Sequence, residues 1–82
     1  MMRPGKPEIQ SEEEYKKDPN FQAIDEKIRN ENDLSQYDIT SVSKQLVNGY
    51  IYIITYRGPD GKEKVYEVFV NFDGEITVQK EY

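Results

Sequence analysis

The sequence predicts an α+β domain in which one N-terminal α-helix packs on a four-stranded antiparallel β-sheet. Three observations lead to that class. Phe21, Ile24 and Ile28 recur at the three- and four-residue spacing of a helix, directly behind an Asp18-Pro19 start signal. Two later runs, Tyr50–Tyr56 and Lys64–Val70, alternate as strands do. Asn48-Gly49, Asp60-Gly61 and Asp73-Gly74 sit where reversals would join consecutive strands into hairpins.

The chain of 82 residues is one domain. At this size folding buries only about 60 to 65% of the unfolded surface, so the core must be small. We divide it into a flexible N-terminal arm, residues 1–17, and a single domain, residues 18–82. Cysteine and histidine are both absent. That removes the thiol nucleophile, the thiolate metal site, the commonest general base and the commonest metal ligand. Carboxylate or Lys/Tyr chemistry is left open by composition, yet no residue pattern points to it. We therefore expect no enzyme, no catalytic residues, no cofactor and no metal.

The formal charge is −5, with eleven Lys and Arg scattered among sixteen Asp and Glu. A phosphate-backbone binder needs a basic face, so no nucleic-acid partner is expected. No apolar run approaches the roughly 18 residues of a membrane span, and residues 1–10 lack the apolar stretch of a signal peptide. The expectation is a cytoplasmic protein without a membrane partner, or a secreted one if a leader was removed.

Taken in order, residues 1–8 hold two prolines and a glycine among polar neighbours and read as an extended arm. Ser11-x-x-Glu14 is a capping-box pattern, but with only Ile9 and Tyr15 behind it the segment supports at most one marginal turn of helix. The run Glu12-Glu13-Glu14 is a solvated face. Asp18 as N-cap and Pro19 at the first helical position start the main helix, which runs to about Asn32 and is roughly 20 Å long. Asp25 and Glu26 are adjacent and point about 100° apart, so they do not form a carboxylate pair.

Asp33–Gln36 is a polar connection, and Tyr37–Lys44 leads as a strand into the first hairpin. Tyr37 and Ile39 are out of phase with Val42 and Leu46, and a β-bulge between Ile39 and Val42 would restore the alternation. Asn48-Gly49 is the residue pair that tolerates the positive φ of a tight turn, which holds Leu46-Val47 out as an apolar tip. In the next strand Tyr50, Tyr52, Ile54 and Tyr56 share one face and Ile51, Ile53 and Thr55 the other. Arg57–Lys62 is a turn cluster at the remote end. The following strand sets Val65, Glu67 and Phe69 against Tyr66, Val68 and Val70. Asn71–Glu75 is a second Asp-Gly hairpin leading to an edge strand, Ile76–Gln79. Antiparallel order alone returns this turn to the same end of the sheet as Gln45–Gly49. The seven tyrosines suit sheet positions with wet hydroxyls.

Gln45-x-Val47-x-Gly49 resembles the Gln-x-Val-x-Gly hairpin of the cystatins. Ala23–Asn32 is similar to the helix of plant cystatins, and Lys62–Val68 is similar to the strand that follows the hairpin. The resemblance covers residues 20–72 in the family's order. It implies a helix lying on Tyr52, Ile54 and Tyr56, with Ile51 and Ile53 left on the open face. It also implies a stefin-like, reversible inhibitor whose partner is a papain-like cysteine protease of the cathepsin type. Gln45, Leu46, Val47, Asn48 and Gly49 would form the hairpin that enters the cleft. Gly5, the first glycine of the chain, would lie with the arm along the unprimed side. Phe72, Asp73 and Gly74 would touch the primed side, where cystatins usually carry Pro-Trp and this chain does not. The protein is expected to be a monomer, with a domain-swapped dimer open to it. The alternative is a cystatin-fold structural or regulatory binding module, similar to the PepSY domains, that inhibits no protease.

Overall fold

A computed structural model describes residues 5–82 as one antiparallel sheet crossed by a helix. In chain order the elements are strand β1 (Glu8–Ile9), helix α1 (Glu12–Lys16), helix α2 (Pro19–Asn32) and strands β2 (Asp38–Val47), β3 (Gly49–Arg57), β4 (Glu63–Val70) and β5 (Ile76–Glu81). The strands lie side by side in the order β1-β2-β3-β4-β5, each antiparallel to the next.

The class is α+β, with five strands and two helices among the described residues instead of four and one. The extra strand arises because Glu8 and Ile9 pair with Lys44 and Ser43 of β2. Two residues are too few to display a period, so sequence alternation cannot register them. The extra helix is the capping box at work: the Ser11 hydroxyl accepts from the Glu14 N–H, and the Glu14 carboxylate accepts from the Ser11 N–H. Within the segment read as an arm, β1 pairs with β2, Gly5 and Gln10 bond to β2 and residues 12–16 form α1. Residues 1–4 of that arm lie outside the described residues.

Helix α2 begins as expected. The Asp18 side chain accepts from the N–H groups of Asn20 and Phe21, and Pro19 follows as the first helical residue. It ends at Asp33, whose φ of 55° is left-handed, a conformation a short polar side chain tolerates better than most. Phe21, Ile24 and Ile28 are buried against Val42 of β2, Tyr52, Ile54 and Tyr56 of β3, and Tyr66, Val68 and Val70 of β4. Leu34 joins them in the core. The stretch Asp33–Gln36 is thus not merely a polar connection, for its single apolar residue plugs the end of the helix layer. The bulge falls where the phase break required it: Ile39 pairs with Tyr56 and Ser41 with Thr55, leaving Thr40 as the extra residue. A second bulge lies between β4 and β5, at Glu67 and Val68. Ile51, Ile53, Val65 and Phe69 are half-buried on the open face.

The sheet tyrosines depart from expectation in one respect. The rings of Tyr52, Tyr56 and Tyr66 are core, and their hydroxyls reach carboxylates rather than water. Tyr52 donates to Asp18 at 2.6 Å, Tyr56 to Asp25 at 2.8 Å and Tyr66 to Glu81 at 3.2 Å. Asp18 also receives Lys44 Nζ at 2.9 Å, and Asp25 receives Arg29 Nε at 2.8 Å. Burial pushes the Asp18 carboxyl up, but the bonds from Tyr52 and Lys44 outweigh it and hold the group below the usual carboxylate range. Burial, and then the facing carboxylates, push the Tyr52 and Tyr56 hydroxyls well above the ordinary phenol value; Tyr66 rises to about 12.

These shifts set a pH profile. Asp18 binds its proton less readily when folded, so its contribution is present above the unfolded value of about 3.9 and is lost as pH falls through the lower folded value. The tyrosines hold their protons more tightly when folded. Their contribution is complete below about pH 10 and is lost as pH rises past it. Urea midpoints are expected to be level between these limits and to fall on both sides. Tyr52→Phe should cost about 1.5–3 kcal/mol at neutral pH by removing a bond to a charged group, and should move the acid fall to higher pH. An acid limb in the same place in both proteins would refute the assignment.

Candidate functional site

Both hairpins of interest lie at one end of the sheet. Tyr50 pairs with Val70, so the turn between β2 and β3 is adjacent to the loop between β4 and β5. Gly49 is where the first turn meets the end of β4. An added Cβ there would lie 2.5 Å from the Val70 carbonyl oxygen and 2.9 Å from the Phe69 ring, and the residue has φ 121°. Only glycine lets the two backbones close in this way.

The first turn is tighter than Asn48-Gly49 would suggest. Val47 pairs directly with Gly49, which leaves Asn48 alone between the strands. Asn48 does not take positive φ; Gly49 does. Leu46 and Val47, expected as the tip, instead form the last two residues of β2. Leu46 is 43% exposed, Asn48 is exposed and Val47 is half-buried. Gln45 is half-buried as well.

The second loop is built around Asn71. Its side-chain oxygen accepts from the N–H groups of Asp73 and Glu75, both at 2.9 Å, and its carbonyl accepts from Gly74 at 3.0 Å. Gly74 supplies the positive φ, 85°, that returns the chain to β5. The loop is held by its own polar groups, with Asp73 and Gly74 exposed. It presents one large apolar side chain, Phe72, which is 66% exposed. Phe72 is supported from one side by Tyr50, edge to face with ring centroids 6.0 Å apart. Lys44 lies 4.5 Å from the Tyr50 ring centre and is itself held by Asp18. A chain of contacts thus links the start of α2 to Phe72.

The arm arrives at the same rim. Gly5 donates its N–H to the Leu46 carbonyl at 2.6 Å, and the Gln45 side-chain amide donates to the Gly5 carbonyl at 2.9 Å. All nine sequence-selected residues, Gly5, Gln45–Gly49 and Phe72–Gly74, therefore belong to one edge of the fold. Tyr50 and Lys44 were not selected. Tyr50 reads as one more alternating strand residue, and its support of Phe72 depends on a contact across two turns.

A groove of about 430 Å³ runs beside this edge, lined by Gly5, Lys6, Glu14, Lys44, Leu46 and Tyr50 among others. A larger one, about 640 Å³, lies away from the rim between α1, α2 and β2. Glu12 is paired with Lys16 and Asp25 with Arg29 there, and Glu26 and Asp38 also line it. Among the described residues no group of three or more carboxylates is placed to hold a metal ion. None of the described helices is long and apolar enough to cross a membrane. The Tyr52 and Tyr56 hydroxyls are shifted upward, away from what a general base at neutral pH requires. What the rim offers is apolar side chains on braced backbone. No family model, curated protein or solved structure matches the chain.

Proposed function

We propose that this protein is a cystatin-like, reversible inhibitor of papain-like cysteine proteases that acts by occluding the substrate cleft. The observation that carries the reading is the convergence of three separate segments, Gly5, Leu46–Gly49 and Phe72–Gly74, on one narrow edge. Leu46, Val47 and the main chain of Asn48 and Gly49 enter the cleft. The arm at Gly5 lies along the unprimed side, and Phe72 meets the primed side. No bond of the inhibitor need be broken, because the hairpin fills the space next to the catalytic cysteine without offering a carbonyl in attack geometry. Binding energy comes from a few buried apolar residues on backbone that needs little further ordering.

Titration of papain or a cathepsin with the intact chain tests this. The expected result is complete, reversible loss of activity, with the inhibitor recovered uncleaved. Undiminished activity at large molar excess defeats the proposal. One observation favours the second reading, a binding module on the same fold: the Asn71–Glu75 loop satisfies its own polar groups and offers Phe72 alone. That reading predicts no inhibition at any excess.

A further inference from the structure

Gly5 is held by two adjacent residues of β2, and the strand ladder does not account for it. The pairs Glu8–Lys44 and Ile9–Ser43 would, if continued, set residue 5 opposite Val47. Gly5 bonds instead to Leu46, one residue out of that register. From Glu8 back to Gly5 is three residues, while from Lys44 on to Leu46 is two, so the arm carries one extra residue at Lys6-Pro7 and leaves the ladder there. Past that break, the Gln45 side chain takes over where the backbone pattern stops. Its amide donates to the Gly5 carbonyl while the Leu46 carbonyl accepts from the Gly5 N–H, so both backbone groups of Gly5 are satisfied. The approach is close. A methyl group on residue 5 would stand 3.2 Å from Leu46 Cβ and 3.3 Å from its carbonyl oxygen, inside ordinary contact distance.

We propose that Gln45 and Gly5 form a clasp inside the protein, with Gln45 a positioning residue that fixes the N-terminal arm against the first hairpin so that both meet a partner as one edge. A side chain at residue 5 would press on the protein's own hairpin before any partner approaches. Gln45 acts through Gly5, since its amide is engaged there. As a claim about the free protein, the clasp is independent of the inhibitor reading; its effect on protease affinity rests on that reading.

Amide hydrogen exchange of the intact, free protein, followed by NMR, reads the clasp directly. In the parent the Gly5 amide is expected to be protected. Gln45→Leu, which keeps bulk and removes the donor, and Gln45→Glu are each expected to speed Gly5 exchange about fivefold, with Ile54 and Val68 unchanged as reporters of the intact sheet. Gly5 exchanging at the rate of an unstructured peptide in the parent, or unaltered by both substitutions, overturns the clasp. In a papain dissociation assay, Gly5→Ala and Gln45→Leu should each hasten release, and the double variant should release no faster than the worse single one. Additive effects would overturn the coupling. Should the parent fail to inhibit papain, the inhibitor reading falls, and the exchange result still decides the clasp.

Discussion

Gly49→Ala is expected to destabilise the fold by about 2–4 kcal/mol, the sum of left-handed strain and a clash the backbone must relieve. The residue has φ 121°, and its new methyl group would meet the Val70 carbonyl oxygen at 2.5 Å and the Phe69 ring at 2.9 and 3.0 Å. The Phe69 ring can turn, but the Val70 carbonyl cannot swing aside, because Val70 is paired with Tyr50 in the sheet. Gly61 and Gly74 provide the control. Both take positive φ, 81° and 85°, but a methyl group on either meets nothing within 4 Å. Gly74→Ala should therefore cost only the backbone term, about 1 kcal/mol. Denaturant midpoints of the two variants decide the matter, and a Gly49→Ala loss no greater than that of Gly74→Ala contradicts the argument. The same substitution should weaken any activity of the rim, because Gly49 is where the first turn is set against the end of β4, from which the second loop leaves.

Val47→Asp is expected to weaken inhibition of papain by about 2–4 kcal/mol, or roughly 30- to 1,000-fold, the range for losing a central apolar contact and desolvating a charge. Val47 lies at the very end of β2, half-buried and outside the core. The folded state should therefore survive, with a denaturation midpoint close to that of the parent. A folded Val47→Asp protein that inhibits as well as the parent would remove the hairpin from the contact surface. The comparison separates a structural turn from a binding one, since a turn needed only for the fold has no reason to notice the charge.

Much of this architecture was legible in the residues. Asp18-Pro19 and the spacing of Phe21, Ile24 and Ile28 place α2 because cap and period are local properties. The bulge at Thr40 could be located because Tyr37 and Ile39 fall out of phase with Val42. The shared end of the two hairpins followed from strand order alone. What escaped depends on distance through space. Leu34 is a lone apolar residue without a period to mark it. β1 is two residues long. The bonds from Tyr52 to Asp18 and from Tyr56 to Asp25 join a known helix to a known strand, yet the local pattern of each element leaves open where the helix lies along the sheet. Gly5 and Leu46 are 41 positions apart, and Gly5 could be singled out only by the cystatin resemblance, which did not predict that it would be bonded to its own hairpin.

The two hydroxyl–carboxylate bonds have a further consequence when taken together. Tyr52 and Tyr56 are four residues apart on β3, roughly 13 Å of strand, and Asp18 and Asp25 are seven apart along α2, roughly 10 Å of helix. The two spans nearly match, so there is a single axial seating at which both bonds form. Sliding the helix by one turn, about 5.4 Å, would keep greasy side chains over greasy side chains and would break both. The aliphatic contacts supply cohesion without choosing among such slipped arrangements. The paired oxygens act as index pins, and they give the domain one seating where a wholly apolar layer would tolerate several.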